Sequence, residues 1–157
     1  MPNHVLYAED DENDAFFMQR TFEKLPAFAL QIVPDGLAAI AYLEGGEGYA
    51  DRQAHPLPEL LLLDIKMPQA TGLEVLAWVR QQPQFAGLPV VMLTSSTQLK
   101  DIEASRTFGA NAYLVKPSQA KDLNELMQKL IAALKLTAGA PSGPLAMPGN
   151  LLIAPAR

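Results

Sequence analysis

The sequence predicts an α/β protein: a parallel β-sheet with helices on both faces. Three observations lead there. Short apolar runs and amphipathic segments alternate five times along the chain. The apolar runs are continuous rather than alternating, as strands covered on both faces are. Glycine, proline and small polar residues mark most of the junctions. Strand–helix alternation of this kind builds parallel sheets, because each crossover helix returns the chain to the same edge.

The elements follow in order. His4–Ala8 (HVLYA) is a short apolar strand before the acidic cluster Glu9–Glu12. From Asn13 to Lys24 the pattern turns helical, with Ala15, Met18, Phe22 and Leu25 on one face and Pro26 closing it. Phe28–Val33 is the second strand, and Pro34-Asp35-Gly36 turns it. Leu37–Leu43 is a short Ala-rich helix, ended by Gly45 and Gly46 and followed by a polar loop to Pro58. Glu59–Leu63 is the third strand, and its four leucines run straight into Asp64. Thr71–Gln82 is helical, Pro89–Leu93 is the fourth strand, and Gln98–Phe108 is a helix with Gly109 at its C′ position. Asn111–Val115 is the fifth strand, ending at Lys116-Pro117. A last amphipathic helix carries Leu123, Leu126, Met127, Leu130 and Leu134 and runs to about 136. Five such units take the flavodoxin-like (βα)5 strand order 2-1-3-4-5 in a three-layer sandwich.

Residues 137–157 differ in composition, with four prolines and three glycines, so they form no regular helix. Leu151, Leu152 and Ile153 form an apolar cluster there that should pack against something. The bulk numbers exclude several classes. A net charge of −5 argues against nucleic-acid binding. No cysteine means no disulfide framework, thiolate metal site or cysteine nucleophile, and fits a cytoplasmic protein. There is no secretory signal and no apolar stretch of the roughly 20 residues that a membrane span needs.

The polar residues gather on one edge. Glu9 and Asp10 follow the first strand, Asp64 ends the third, Thr94 the fourth and Lys116 the fifth. In a parallel sheet these are all carboxyl ends, where open α/β sheets bind ligands. Crowded carboxylates repel one another, and a hard cation such as Mg²⁺ removes the conflict. Thr94 and Lys116 offer a hydroxyl and an ammonium suited to phosphoryl oxygens. Singly, each of these residues is more ordinarily a cap, a turn residue or a solvated lysine. Together they read as Mg²⁺-assisted phosphoryl transfer onto an aspartate nucleophile, Asp64.

Four motifs then resemble the receiver domain of two-component response regulators over residues 3–136: the acidic pair Glu9-Asp10, D-x-K-M-P with a later glycine (Asp64, Lys66, Met67, Pro68, Gly72), Leu93-Thr94-Ser95, and Y-x-V-K-P from Tyr113 to Pro117. The resemblance implies that Asp64 is the phosphoacceptor, taking its phosphoryl group from a histidine kinase. It implies metal ligation by Asp10, Asp64, the Lys66 backbone carbonyl and, through water, Glu9, with Mg²⁺ replaceable by Mn²⁺. It assigns phosphoryl binding to Thr94, Ser95 and Lys116, a switch to Thr94 and Tyr113, and a cis Lys116–Pro117 bond. Such a protein catalyses only its own phosphorylation and dephosphorylation. With residues 137–157 carrying no output domain, the chain is similar to stand-alone receivers. GYADR, AEDDENDA and WVRQQP resemble those paired with phytochrome-type kinases.

Phe16, Phe17 and Met18 are consecutive on a helix and cannot all face the core, so Phe16 or Phe17 is expected at the surface, docking the kinase. The Leu-Leu-Ile cluster is expected on a second subunit, supporting a homodimer, with packing on its own domain as the alternative. Rival functions fit less well. A haloacid-dehalogenase-type phosphatase wants a second aspartate where Lys66 stands, and a flavin module wants a Ser/Thr/Gly loop where Glu9–Glu12 stands. A phosphorelay intermediate or phosphate sink remains the alternative role.

Overall fold

The structure is a computed structural model that describes residues 2–134 and 152–154. The elements run β1 (Asn3–Ala8), α1 (Glu12–Glu23), β2 (Phe28–Val33), α2 (Gly36–Glu44), β3 (Leu60–Leu63), α3 (Gly72–Gln81), β4 (Val90–Thr94), α4 (Leu99–Thr107), β5 (Ala112–Val115), α5 (Ala120–Leu134) and β6 (Leu152–Ala154), with a 3₁₀ turn at Pro83–Phe85. The first five strands pair parallel in the expected order 2-1-3-4-5.

The β3 leucines explain the sandwich. All four are at most 1% exposed, because the strand is covered on both sides. Leu61 and Leu63 pack in the layer with Ala39, Tyr42, Val75 and Val79 from α2 and α3. Leu60 and Leu62 pack with Met18 and Phe22 of α1 and Met127 and Leu130 of α5. Burying one leucine side chain stabilises by about 1.5–3 kcal/mol before entropy is counted. The helix ends follow local chemistry. Asp11 caps α1 by accepting from the Asp14 N–H at 3.0 Å. Thr71 and Glu74 form a capping box at α3. Gly109 takes φ +95° just beyond α4, a left-handed conformation that glycine adopts without a Cβ clash.

Gly72 has a different reason to be glycine. A Cβ there would lie 2.0 Å from the Asp64 carbonyl oxygen, and its N–H bonds the Ile65 carbonyl at 2.9 Å. The start of α3 is therefore pressed onto the chain leaving β3, which holds Asp64 at the sheet edge.

One strand is additional. Leu152–Ala154 forms β6, parallel to β5 of the same chain, with Tyr113 opposite Ile153. The apolar cluster was expected on a second subunit; Leu152 and Ile153 instead extend their own sheet, and Leu151 lies outside the described residues. An unpaired strand edge offers a row of backbone donors and acceptors, and a tethered segment reaches it at high effective concentration. No helix among the described residues is long and apolar enough to cross a membrane.

Candidate functional site

Each strand end delivers one group to the same edge. The Glu9 N–H donates to the Val33 carbonyl, which draws the end of β1 beside β2. The Asp64 N–H donates to the Ala8 carbonyl at 3.3 Å, and the Lys116 N–H to the Thr94 carbonyl at 2.8 Å. These backbone bonds carry the pairing one residue past the strands. Glu9, Asp64 and Thr94 are buried, whereas Asp10, Lys66 and Ser95 are exposed. All of them, with Lys116, line one open cavity of about 760 Å³.

Lys116 is the centre. Its Nζ donates to Glu9 Oε1 at 2.5 Å, Asp14 Oδ2 at 2.7 Å and Asp64 Oδ2 at 2.7 Å. Burial alone would lower its pKa, but these three carboxylates outweigh it and hold the ammonium charged. Glu9 shows the opposite balance. Burial pushes its carboxyl up to about 7, although Lys116 and the Tyr7 hydroxyl both bond its charged form. Tyr7 donates to Glu9 Oε1 at 2.6 Å, and its own pKa is raised by burial and by that carboxylate.

Carboxylate oxygens of Glu9, Asp10 and Asp64 lie within 4.8 Å of one another. That set is made of hard oxygen donors only, which suits a small divalent cation with several retained waters. A buried glutamate whose ionised form is disfavoured is where an added positive charge helps most. The residues present therefore fit Mg²⁺ or Mn²⁺.

Several expectations meet the structure at this edge. Asp10 and Asp64 come together with Glu9. Tyr113, on β5, is wholly buried, and its hydroxyl donates to the Ser96 carbonyl at 2.8 Å. Phe16 and Phe17 are 51% and 45% exposed, as the crowding of three large side chains on α1 requires. The Lys116–Pro117 bond was expected cis and is trans; no peptide bond among the described residues is cis. The long lysine stem reaches all three carboxylates without it, and trans is the lower-energy isomer of X–Pro by about 0.5–1 kcal/mol.

Asp14 escaped the sequence reading. It sits in the first turn of α1, three residues past the cap, so one helical turn folds it back over the edge that Glu9 and Asp10 occupy. The run of acids from Glu9 through Asp14 was the available signal.

Known proteins resemble this chain in sequence and in fold. The response regulator receiver domain matches residues 5–128. This chain belongs to that family. Response regulator Rcp1 of Synechocystis is 37% identical over 128 residues, covering 81% of this chain and 85% of its own. Among solved structures, the phosphorylated cyanobacterial phytochrome response regulator RcpA is 29% identical with a TM-score of 0.80, covering 90% of this chain and 100% of its own. RPA3017, a response regulator in red light signalling of R. palustris, is 34% identical with a TM-score of 0.80, covering 90% and 99%. The Mn²⁺-bound form of Rcp1 also matches, 35% identical with a TM-score of 0.77, over 89% of this chain and 99% of its own.

Proposed function

We propose that this receiver acts as a response regulator that takes a phosphoryl group from a histidine kinase onto Asp64. The observation that carries the reading is the Lys116 ammonium 2.7 Å from Asp64 Oδ2, at the mouth of an acidic cavity. In the reaction the P–N bond of the kinase's phosphohistidine breaks. A P–O bond forms to an Asp64 carboxylate oxygen, and the histidine nitrogen keeps the electron pair and takes a proton.

A Mg²⁺ held by Asp10, Asp64 and the Lys66 carbonyl, with Glu9 through water, supplies charge neutralisation when bound. The chain's own residues do the rest. Asp64 is buried on its strand side and open on its cavity side, so it is held but reachable. Lys116 moves one of its three bonds from a carboxylate to a phosphoryl oxygen, and stays charged while doing so. Thr94 and Ser95 line the same cavity, and the Thr94 hydroxyl and the Ser95 backbone complete the oxygen-binding set in this reading. Thr94 and Tyr113 then relay the change from the edge to the surface.

Phe16 and Phe17 form an exposed edge-to-face pair with centroids 5.7 Å apart. Phe17, Met18, Pro117 and Leu123 line a second cavity of about 400 Å³ that shares Asp14 and Lys116 with the first. This apolar rim is the docking place for the kinase's phosphotransfer domain. The relatedness to RcpA and RPA3017 supports a kinase of the phytochrome type. The test is incubation with acetyl phosphate and Mg²⁺ followed by intact mass. One added phosphoryl group, absent without metal, is expected; an unmodified wild type refutes the reading.

A further inference from the structure

Ser96, in the loop between β4 and α4, makes four hydrogen bonds, three of which matter first. Its N–H donates to Thr94 Oγ1 at 3.3 Å. Its carbonyl accepts from the Tyr113 hydroxyl at 2.8 Å. Its own hydroxyl donates to Asp101 Oδ2 at 2.5 Å. One loop residue thus touches both candidate switch residues and a carboxylate outside the phosphoryl site.

Asp101 is a firm anchor. It lies in the first turn of α4, is 9% exposed, and its own carbonyl accepts from Ser105 Oγ at 2.7 Å. A hydrogen bond to an ionised carboxylate is roughly twice as strong as one between neutral groups. The bond fixes the rotamer of Ser96, and with it the position of the backbone carbonyl that Tyr113 needs. Thr94 accepts from Ser96 with its oxygen and keeps its own hydroxyl proton for another acceptor. Every bond in this chain is internal to the protein.

We infer that Asp101 is a positioning residue which, through the Ser96 hydroxyl, latches the loop and holds the Tyr113 ring inward. The latch makes the ring's position a property of the β4–α4 loop as well as of the phosphoryl site. It rests on the proposed Thr94/Tyr113 switch. Its competitor is plain capping. The N-cap of α4, Gln98, has no side-chain cap bond, and Ser96 Oγ accepts from the Gln98 N–H at 3.2 Å. A cap alone would steady α4 and leave Tyr113 unmoved when it is removed.

The experiment is ¹⁹F NMR of the full chain labelled with 3-fluorotyrosine, the Tyr113 resonance being assigned with Tyr113→Phe. Wild type is expected to show one buried Tyr113 resonance before any phosphodonor is added. Ser96→Ala and Asp101→Ala should each shift or split it toward the solvent-exposed position. The double variant should move it no further, since both cut one link. Ser96→Thr, which keeps the hydroxyl, should restore the wild-type resonance. Should Asp101→Ala fail to fold, Ser96→Ala in the loop carries the test alone. An unmoved Tyr113 resonance in Ser96→Ala overturns the latch and leaves capping. Intact mass after acetyl phosphate is read on the same wild-type sample. Absent phosphorylation sinks the phosphoacceptor reading, while the resonance of the untreated protein still decides the latch.

Discussion

Arg80 and Lys116 are both heavily bonded cations, and their surroundings are opposite. Arg80, on α3, donates to neutral oxygens: the Gly109 carbonyl at 3.0 Å, Phe85 at 3.2 Å, Leu88 at 2.8 Å and Asn111 Oδ1 at 2.9 Å. It makes no ion pair among the described residues. Lys116 donates to three carboxylates. Burial pulls both pKa values down. For Arg80 nothing opposes it and the value falls, whereas for Lys116 the carboxylates win and it rises. A guanidinium fork spread over fixed carbonyls staples α3, the 3₁₀ turn and the loop before β5. An ammonium shared among three carboxylates can exchange a partner. The first arrangement is rigid and structural; the second is a site that a phosphoryl group can enter.

Four measurements break or sharpen that contrast, the largest effect first. Asp64→Asn removes the acceptor, so intact mass after acetyl phosphate and Mg²⁺ should show no phosphoryl gain at all. Any gain at wild-type level places the acceptor elsewhere. Lys116→Met keeps the stem and removes the charge. Phosphorylation by acetyl phosphate should slow by about 10²–10³-fold, the range for losing one preorganised charge-stabilising donor. An unchanged rate would make Lys116 another structural cation.

Arg80→Ala should do the reverse. It strands several carbonyls and costs about 2–3 kcal/mol in urea unfolding, while the folded protein phosphorylates at the wild-type rate. A stability change under about 0.5 kcal/mol, the size expected for an uninvolved surface residue, would remove the staple.

The fourth effect is in pH. Glu9 has its carboxyl raised from 4.5 to about 7, chiefly by burial. A raised carboxyl stabilises the fold below the unfolded value and loses that contribution as pH climbs through the folded one. The thermal midpoint of metal-free protein should therefore fall between about pH 4.5 and about 7. Glu9→Gln should flatten that slope, and Mg²⁺ should raise the midpoint more at the upper end. An equal slope in Glu9→Gln would assign it to other groups.

Much of the fold was legible because its causes are local. Continuous apolar runs such as LLLL mark strands buried on both faces, and the turn after each marks a sheet edge. The edge in turn made Glu9, Asp10, Asp64, Thr94 and Lys116 readable as neighbours. Asp14 was missed because reading strand ends ignores the first helical turn that returns beside them. Arg80 was missed because its partners are mostly backbone carbonyls, which carry no sequence signal. The β6 pairing uses backbone groups, which every residue offers, so an apolar cluster named its need for cover without naming the cover. The Lys116–Pro117 isomer was read from resemblance and depends on how far a side chain must reach.

By itself the sequence determined the order of strands and helices, the edge where acids meet a lysine, and the glycine that lets α3 press on Asp64. Near-neighbour periodicity, capping and sterics are enough for that. Only the tertiary structure decided which oxygens each cation meets. The carboxylates of Lys116 come from residues 107, 102 and 52 positions away in sequence, brought within 2.7 Å by packing alone. Charge balance at that spot is a sum over distances in space, which no local pattern in the chain records.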